Sequence, residues 1–272
     1  MLRVQMVSGE EVAAVSAETA ENLRTIWALK HRLRRLKGLP VCLQEFLHDG
    51  CKLKNNSKLQ VPMNLQLVLR MFTAPDPIAF VELRDAAGEG ELEVVRLLFN
   101  SIDPIDGCDL MEALQDAACC GHVEVVRFLL EAGAAGYLDN SACRAALIPA
   151  IARGNTEIVR LLLEAGANKD FVDSAGRTLL MWAASQGSTA VVRLLLDAGV
   201  AKDVTDDLGK TALMWASAGG HMEAISMLLH AGVAKDVVDW QGHTAAMCAR
   251  LNDHADVADL LNHPEKAHLS SH

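Results

Sequence analysis

The sequence predicts a chain in two parts: an α+β domain over residues 1–73, then an all-α solenoid of about six helix-turn-helix repeats over residues 78–264. A linker at 74–77 joins them, and a tail at 265–272 follows. Three observations predict this. Gly90, Gly121, Gly154, Gly187 and Gly220 are each followed by the same apolar string, the last three intervals being 33 residues, and self-similarity at such a period marks stacked supersecondary units. Ahead of the first repeat, near Pro77, hydrophobicity alternates with period two on either side of one helical stripe. The charge also changes sign near Thr73: residues 1–73 hold 11 Lys and Arg against 6 Asp and Glu, net +5, and the remainder holds 14 against 29, net −15.

In the first part, Leu2, Val4 and Met6 alternate with polar or surface-compatible neighbours, Ser8-Gly9-Glu10 supplies a turn, and Val12 to Val15 returns as a second strand. A helix follows from Thr25 to Lys37, with Thr25 as cap, Ile26, Leu29, Leu33 and Leu36 along one stripe, and Gly38 at its end. A strand around Leu43 to Leu47, a turn at His48-Asp49-Gly50 and a strand from Leu65 to Phe72 complete the domain. The helix end, His31 to Lys37, is strongly basic; it reads as a solvated face complementing the helix dipole, or as a site for an acidic partner, including the repeat half of the chain.

In the second part, helix formers run from Thr178 to Ala184, Gly187 stops that helix, and Val191, Val192, Leu194, Leu195 and Leu196 form the next. Neither helix can bury its apolar face alone, so neighbouring units must stack. The six units begin near Pro77, Cys108, Ser141, Ser174, Asp207 and Trp240. The outer two diverge: Phe99-Asn100-Ser101-Ile102 replaces the usual helix ending in the first, and Asp253 stands at the glycine position of the last. Capping repeats, whose outer faces meet water, need such atypical ends.

The string TxLxxAxxxGxxxxVxxLLxxGA, read from Thr178 to Gly199, resembles the ankyrin repeat. Where that family has Thr-Pro-Leu-His, this chain has Thr178-Leu179-Leu180-Met181, Thr211-Ala212-Leu213-Met214 and Thr244-Ala245-Ala246-Met247. Methionine can fill the space of the histidine without making its hydrogen bonds. The resemblance implies a concave surface that binds protein partners, lined by the residue after each methionine position: Asp85, Asp116, Pro149, Trp182, Trp215 and Cys248. Asp173, Asp206 and Asp239 recur at the hairpin tips, with Asp207 and Trp240 beside them; such aspartates commonly serve the turn itself. The expected partner-binding set is Asp116, Trp182, Trp215, Asp207 and Trp240, an acidic, Trp-bearing groove suited to proteins with basic segments.

The first part resembles ubiquitin, a β-grasp fold, through Thr25-Ile26, Lys37-Gly38-Leu39-Pro40 and Leu65-Gln66-Leu67-Val68-Leu69-Arg70. Ubiquitin's conjugatable Gly-Gly end is missing, because Met71 follows Arg70 and the chain continues, so the resemblance implies docking and not tagging. By position, the docking face is Leu47, Gln66 and Val68, for a ubiquitin-pathway receptor.

Composition narrows the classes further. Aromatic residues are 4% of the chain, which suits stacked Ala- and Leu-rich helices better than a β-sandwich core. The seven cysteines, with no CxxC pair and no histidine at zinc-ligand spacing, read as reduced thiols, and acid–base pairs, phosphate-cradling glycines and a Ser/His/Asp set are missing as local motifs, so no metal, cofactor or catalytic residue is expected. The expectation is a non-enzymatic scaffold or adaptor, monomeric, cytoplasmic or nuclear, without a membrane span and without nucleic-acid binding.

Overall fold

The structure is a computed structural model and describes residues 2–6, 11–15, 23, 25–49, 51–59, 63–69, 77–102, 105, 107–138 and 140–262. The expected turn at Ser8 to Glu10, the linker at 74–77 up to Pro77 and the tail at 265–272 lie outside the described residues. Packing divides the chain into two compact units, Met1–Ala113 and Leu114–His272.

The first unit begins with a mixed sheet: β1 (Leu2–Met6), β2 (Glu11–Val15), β3 (Gln44–His48), β4 (Cys51–Lys52) and β5 (Met63–Leu69), in the order β2-β1-β5-β3-β4. The central pair β1 and β5 is parallel, and the other pairs are antiparallel. Alternation sends Leu2, Val4, Phe46, Met63, Leu65 and Leu67 to one face, where Ile26, Leu29 and Leu33 of α1 (Ile26–Lys37) cover them. The Thr25 hydroxyl accepts the Ala28 N–H at 3.3 Å, and Gly38 ends the helix at φ 63°, as the sequence predicts. Leu36 departs from the expected stripe and is 60% exposed. It lies within about 20° of Leu29 around the helix but almost a turn past Leu33, outside the cluster that buries Ile26, Leu29 and Leu33.

The same unit holds the first helix pair, α2 (Pro77–Glu89) and α3 (Leu92–Ser101). Glu82, buried on α2, accepts the backbone N–H groups of Val41 (2.5 Å) and Cys42 (2.8 Å). Arg34 of α1 reaches Glu82 at 3.5 Å, Glu89 at 3.1 Å and Glu91 at 3.2 Å. Burial works against the Arg34 charge, but the hydrogen bond it donates to Glu91 and the three nearby carboxylates raise its pKa above the ordinary value. Part of the basic helix end thus finds its acidic partner in the first repeat.

Helix α4 (Gly107–Cys120) crosses the boundary between the units, and the second unit continues with α5 (Val123–Glu131), α6 (Asn140–Ala152), α7 (Thr156–Glu164), α8 (Leu179–Ser185), α9 (Thr189–Asp197), α10 (Ala212–Ala218), α11 (Met222–His230), α12 (Ala245–Leu251) and α13 (Ala255–Asn262). Among the described residues this makes six helix pairs, as the period predicts. Their first helices differ in length: 13, 14 and 13 residues in the first three pairs, 7 in each of the last three. Thr178, Thr211 and Thr244 explain the short ones, each hydroxyl accepting the N–H three residues on. One and two periods before Thr178 stand Ala145 and Glu112, no threonine caps the chain there, and the helices start earlier. Among the described residues, hairpin tips consequently belong to the last three repeats.

Adjacent repeats in this unit are tied by recurring pairs. Lys169 donates to the carbonyls of Ala198 (2.8 Å) and Gly199 (3.3 Å), and Lys202 donates to that of Ala231, so each ammonium sits at the C-terminus of the next repeat's second helix. Between the two helices of a repeat the chain takes a left-handed turn, and at Asp253 a residue with a Cβ adopts it at φ 65°. At Gly187 and Gly220 an added Cβ would strike His221 and His254 of the following repeat, whereas no further repeat follows Asp253 in the described chain to exclude a side chain. Asp253→Gly should therefore stabilise the chain by about 0.5 kcal/mol, relief of the left-handed strain outweighing the extra unfolded-state entropy. A shift of the urea midpoint to higher concentration checks this; a shift to lower concentration contradicts it.

Candidate functional site

The last three repeats each open with a hairpin built around one aspartate. Asp173 Oδ1 accepts the N–H groups of Ala175 and Arg177, both at 2.9 Å. Asp206 does the same for Leu208 (2.9 Å) and Lys210 (2.8 Å), and Asp239 for Gln241 and His243, both at 2.9 Å. The aspartates thus serve their own turns. Burial by itself would raise the Asp173 and Asp239 pKa values, but the backbone N–H donors, with Arg177 beside the first and His243 beside the second, hold both carboxyls below the ordinary range.

The second oxygen of two of these carboxylates is used as well. The Trp182 indole N–H donates to Asp173 Oδ2 at 3.2 Å, and the Trp215 indole N–H donates to Asp206 Oδ2 at 2.9 Å. Arg177 lies 3.9 Å above the Trp182 ring and Lys210 lies 5.2 Å from the Trp215 ring, both within cation–π range. Each half-buried indole is therefore held inside a carboxylate, indole and cation group belonging to its own hairpin. Arg177 and Lys210 escaped the sequence reading, although each directly precedes its capping threonine at the 33-residue period.

At the tips, the Asp207 N–H donates to the Ala175 carbonyl at 3.0 Å and the Trp240 N–H donates to that of Leu208 at 3.1 Å, so each tip is pinned to the preceding one. Their side chains remain available: Asp207 is exposed, Leu208 is 54% exposed, and Trp240, packed against Gly209, is 78% exposed. Val172 and Val238 are exposed on the same hairpins. Asp116 lies half-buried on α4 and Pro149 half-buried within α6.

The position after methionine behaves differently in the last repeat. Cys248, expected on the concave surface with the two tryptophans, is buried, and burial pushes its thiol pKa up. A thiol is too short to reach across to Asp239 as an indole does, so the side chain stays within the helix packing. The methionines divide too: Met181 and Met214 are buried and fill the histidine's space, while Met247 is exposed. Met181 also takes the Thr178 N–H on its sulfur at 3.5 Å, a weak contact within its own repeat.

Family models agree with this architecture. The model described as Ankyrin repeats (3 copies) matches residues 134–206 and 180–270, and the model described as Ankyrin repeat matches residues 111–140. The chain belongs to the ankyrin-repeat family. Among characterised proteins, this ankyrin-repeat chain is 43% identical over 67 residues to BTB/POZ domain-containing protein 3 of Schizosaccharomyces pombe. The matched stretch is 24% of this chain and 13% of that protein.

Neither family match reaches the N-terminal sheet of the ankyrin-repeat protein, where the remaining candidate residues lie. Leu47 of β3 and Gln66 of β5 are directly opposed, and Val68 is opposed to Glu45 two residues along. Leu47 and Val68 are half-buried and Gln66 is exposed, so the three residues are close neighbours on two paired strands. Glu45 also pairs with Lys52 of β4, which places charge at the border of this group. Among the described residues no group of three or more His, Cys, Asp or Glu side chains could hold a metal ion, and no helix is long and apolar enough to cross a membrane.

Proposed function

We propose that the chain is a non-enzymatic adaptor whose hairpins and concave repeat surface bind one protein while a ubiquitin-like N-terminal domain docks another. The observation that carries this reading is the row of three hairpins at 173–243, each rigidified by its own aspartate and tied to its neighbour, with Asp207, Leu208 and Trp240 open at the crests. Side chains on rigid turns lose little further freedom on binding, so their contact area converts to affinity with small ordering cost. The acid at Asp207 and the net charge of −15 over residues 74–272 favour a basic segment as the partner. Trp182, Trp215 and Asp116 form the floor and flank in this reading, the two indoles acting through the hairpins they brace.

A ubiquitin-like reading of the first domain is supported by its strand order, with a parallel central pair, and by the neighbouring Leu47, Gln66 and Val68. On that basis a more pointed version makes the protein a ubiquitin–proteasome adaptor that brings a repeat-bound substrate to a receptor. Two surfaces on one chain raise the effective concentration of one partner near the other.

Crosslinking in cells with the intact chain tests both surfaces at once. Because Trp182 and Trp215 brace hairpins, the clean probe of the repeats is Asp207→Lys with Trp240→Ala, and that of the sheet is Leu47→Ala with Val68→Ala. Each pair should remove its own set of crosslinked neighbours, with affinity falling by at least about tenfold as for interface hot spots. Retention of every neighbour by both variants would refute the adaptor, and loss of only the repeat set would leave it a single-surface binder.

A further inference from the structure

We infer that the outer face of α1 is a second docking site, for an acidic peptide segment that carries a bulky apolar side chain. Leu23, Trp27, Ala28, His31, Arg32, Arg35 and Leu36 line an open groove there. Trp27 is 54% exposed and Leu36 60% exposed, an unusual concentration of apolar surface on one helix of a polar face. The Trp27 backbone is anchored, its N–H donating to Asn55 O at 3.0 Å, and its ring is steadied by His31 at a centroid distance of 4.1 Å. An aromatic anchor held in place before binding is the usual core of an interface hot spot.

Charge selects the occupant. Arg34, about two turns beyond Trp27 along the helix, is consumed by Glu82, Glu89 and Glu91. Arg32 and Arg35 are exposed and make no ion pair among the described residues. The Trp27 indole N–H likewise has no acceptor among them. Elsewhere the chain assembles indole, cation and carboxylate twice, as Trp182, Arg177 and Asp173 and as Trp215, Lys210 and Asp206. At α1 Trp27, Arg32 and Arg35 line one groove that has no carboxylate in its lining, and His31 is the ring partner of Trp27, so an acidic partner supplies the charge that the groove lacks. Trp27 and Leu36, at opposite borders of the groove, with Leu23 also in its lining, then take a large aliphatic or aromatic side chain of the same segment.

The test uses the full chain with 15N-labelled tryptophan and a synthetic peptide of alternating Asp and Glu residues around a central Leu-Phe. The Trp27 indole resonance, assigned through Trp27→Phe, should shift on titration while those of Trp182, Trp215 and Trp240 stay in place. Arg32→Ala with Arg35→Ala should weaken binding at least about tenfold, and added salt should weaken it further. Both arginines and Trp27 are exposed, so an unchanged backbone spectrum will show that the variants fold. The proposal is overturned if the peptide leaves the Trp27 resonance unmoved, if the arginine variant binds equally well, or if a Ser-Ser centre binds as tightly as Leu-Phe. It is also overturned if the face is occupied by a second copy, seen as a dimer in sedimentation that the peptide does not dissociate, or by phosphatidylserine vesicles alone.

Discussion

Glu82→Ala should be the most damaging single substitution in the first unit, costing about 3–5 kcal/mol, the range for removing one partner of a buried ion pair. The carboxylate is buried and has three tasks: it accepts Val41 N–H, accepts Cys42 N–H, and sits against the Arg34 guanidinium. Alanine would leave two backbone donors without acceptors and Arg34 with only the more exposed Glu89 and Glu91. Domain stabilities lie at about 5–15 kcal/mol, so a loss of this size is a large share of the total. Glu82→Gln keeps one acceptor oxygen but gives up the charge, and should fall between the two. Urea denaturation of the full chain, with hydrogen exchange followed at the Val41 and Cys42 amides, measures the effect. Unchanged protection of those two amides in Glu82→Ala would show that the loop is held by something else.

Gly187→Ala should destabilise the second unit by about 3 kcal/mol, from left-handed strain together with a steric conflict across repeats. The residue sits at φ 63°, and an added Cβ would lie 2.5 Å from His221 Nδ1 and 2.7 Å from its Cγ. Moving the ring would in turn break the 2.9 Å bond that His221 Nε2 makes to the Ser185 carbonyl, one link between successive repeats. The two contributions separate in a double-mutant cycle with His221→Ala. Strain at the backbone persists in the double mutant, while the clash disappears, so the second substitution should recover part of the loss. Strict additivity of the two single effects would remove the clash from the account.

Much of the architecture was legible because its causes are local. The 33-residue period, the threonine caps at Thr178, Thr211 and Thr244, and the turn aspartates all act within a few residues of themselves, so their geometry follows from the string. Thr25 and Gly38 bounded α1 for the same reason. Cys248 was misplaced because its exposure depends on side-chain length: the repeat aligns it with Trp182 and Trp215, but only an indole spans the gap to the hairpin carboxylate. Leu36 was misplaced because one more apolar residue extends a stripe on paper, while the sheet beneath α1 covers only the line through Ile26, Leu29 and Leu33.

The sequence by itself determined that this protein is a sheet-bearing domain followed by stacked helix pairs, since periodicity and capping are properties of neighbouring residues. Only the tertiary structure decided which side chains are spent and which are left over. Arg34 is taken by three carboxylates 48 to 57 residues away, whereas Arg32 and Arg35 remain open. Trp182 and Trp215 brace their hairpins, whereas Trp27 and Trp240 face solvent. Identical residue types part in this way because a side chain's role is set by the partner that folding brings to it, nine residues away for Trp182 and Trp215 and 48 to 57 residues away for Arg34.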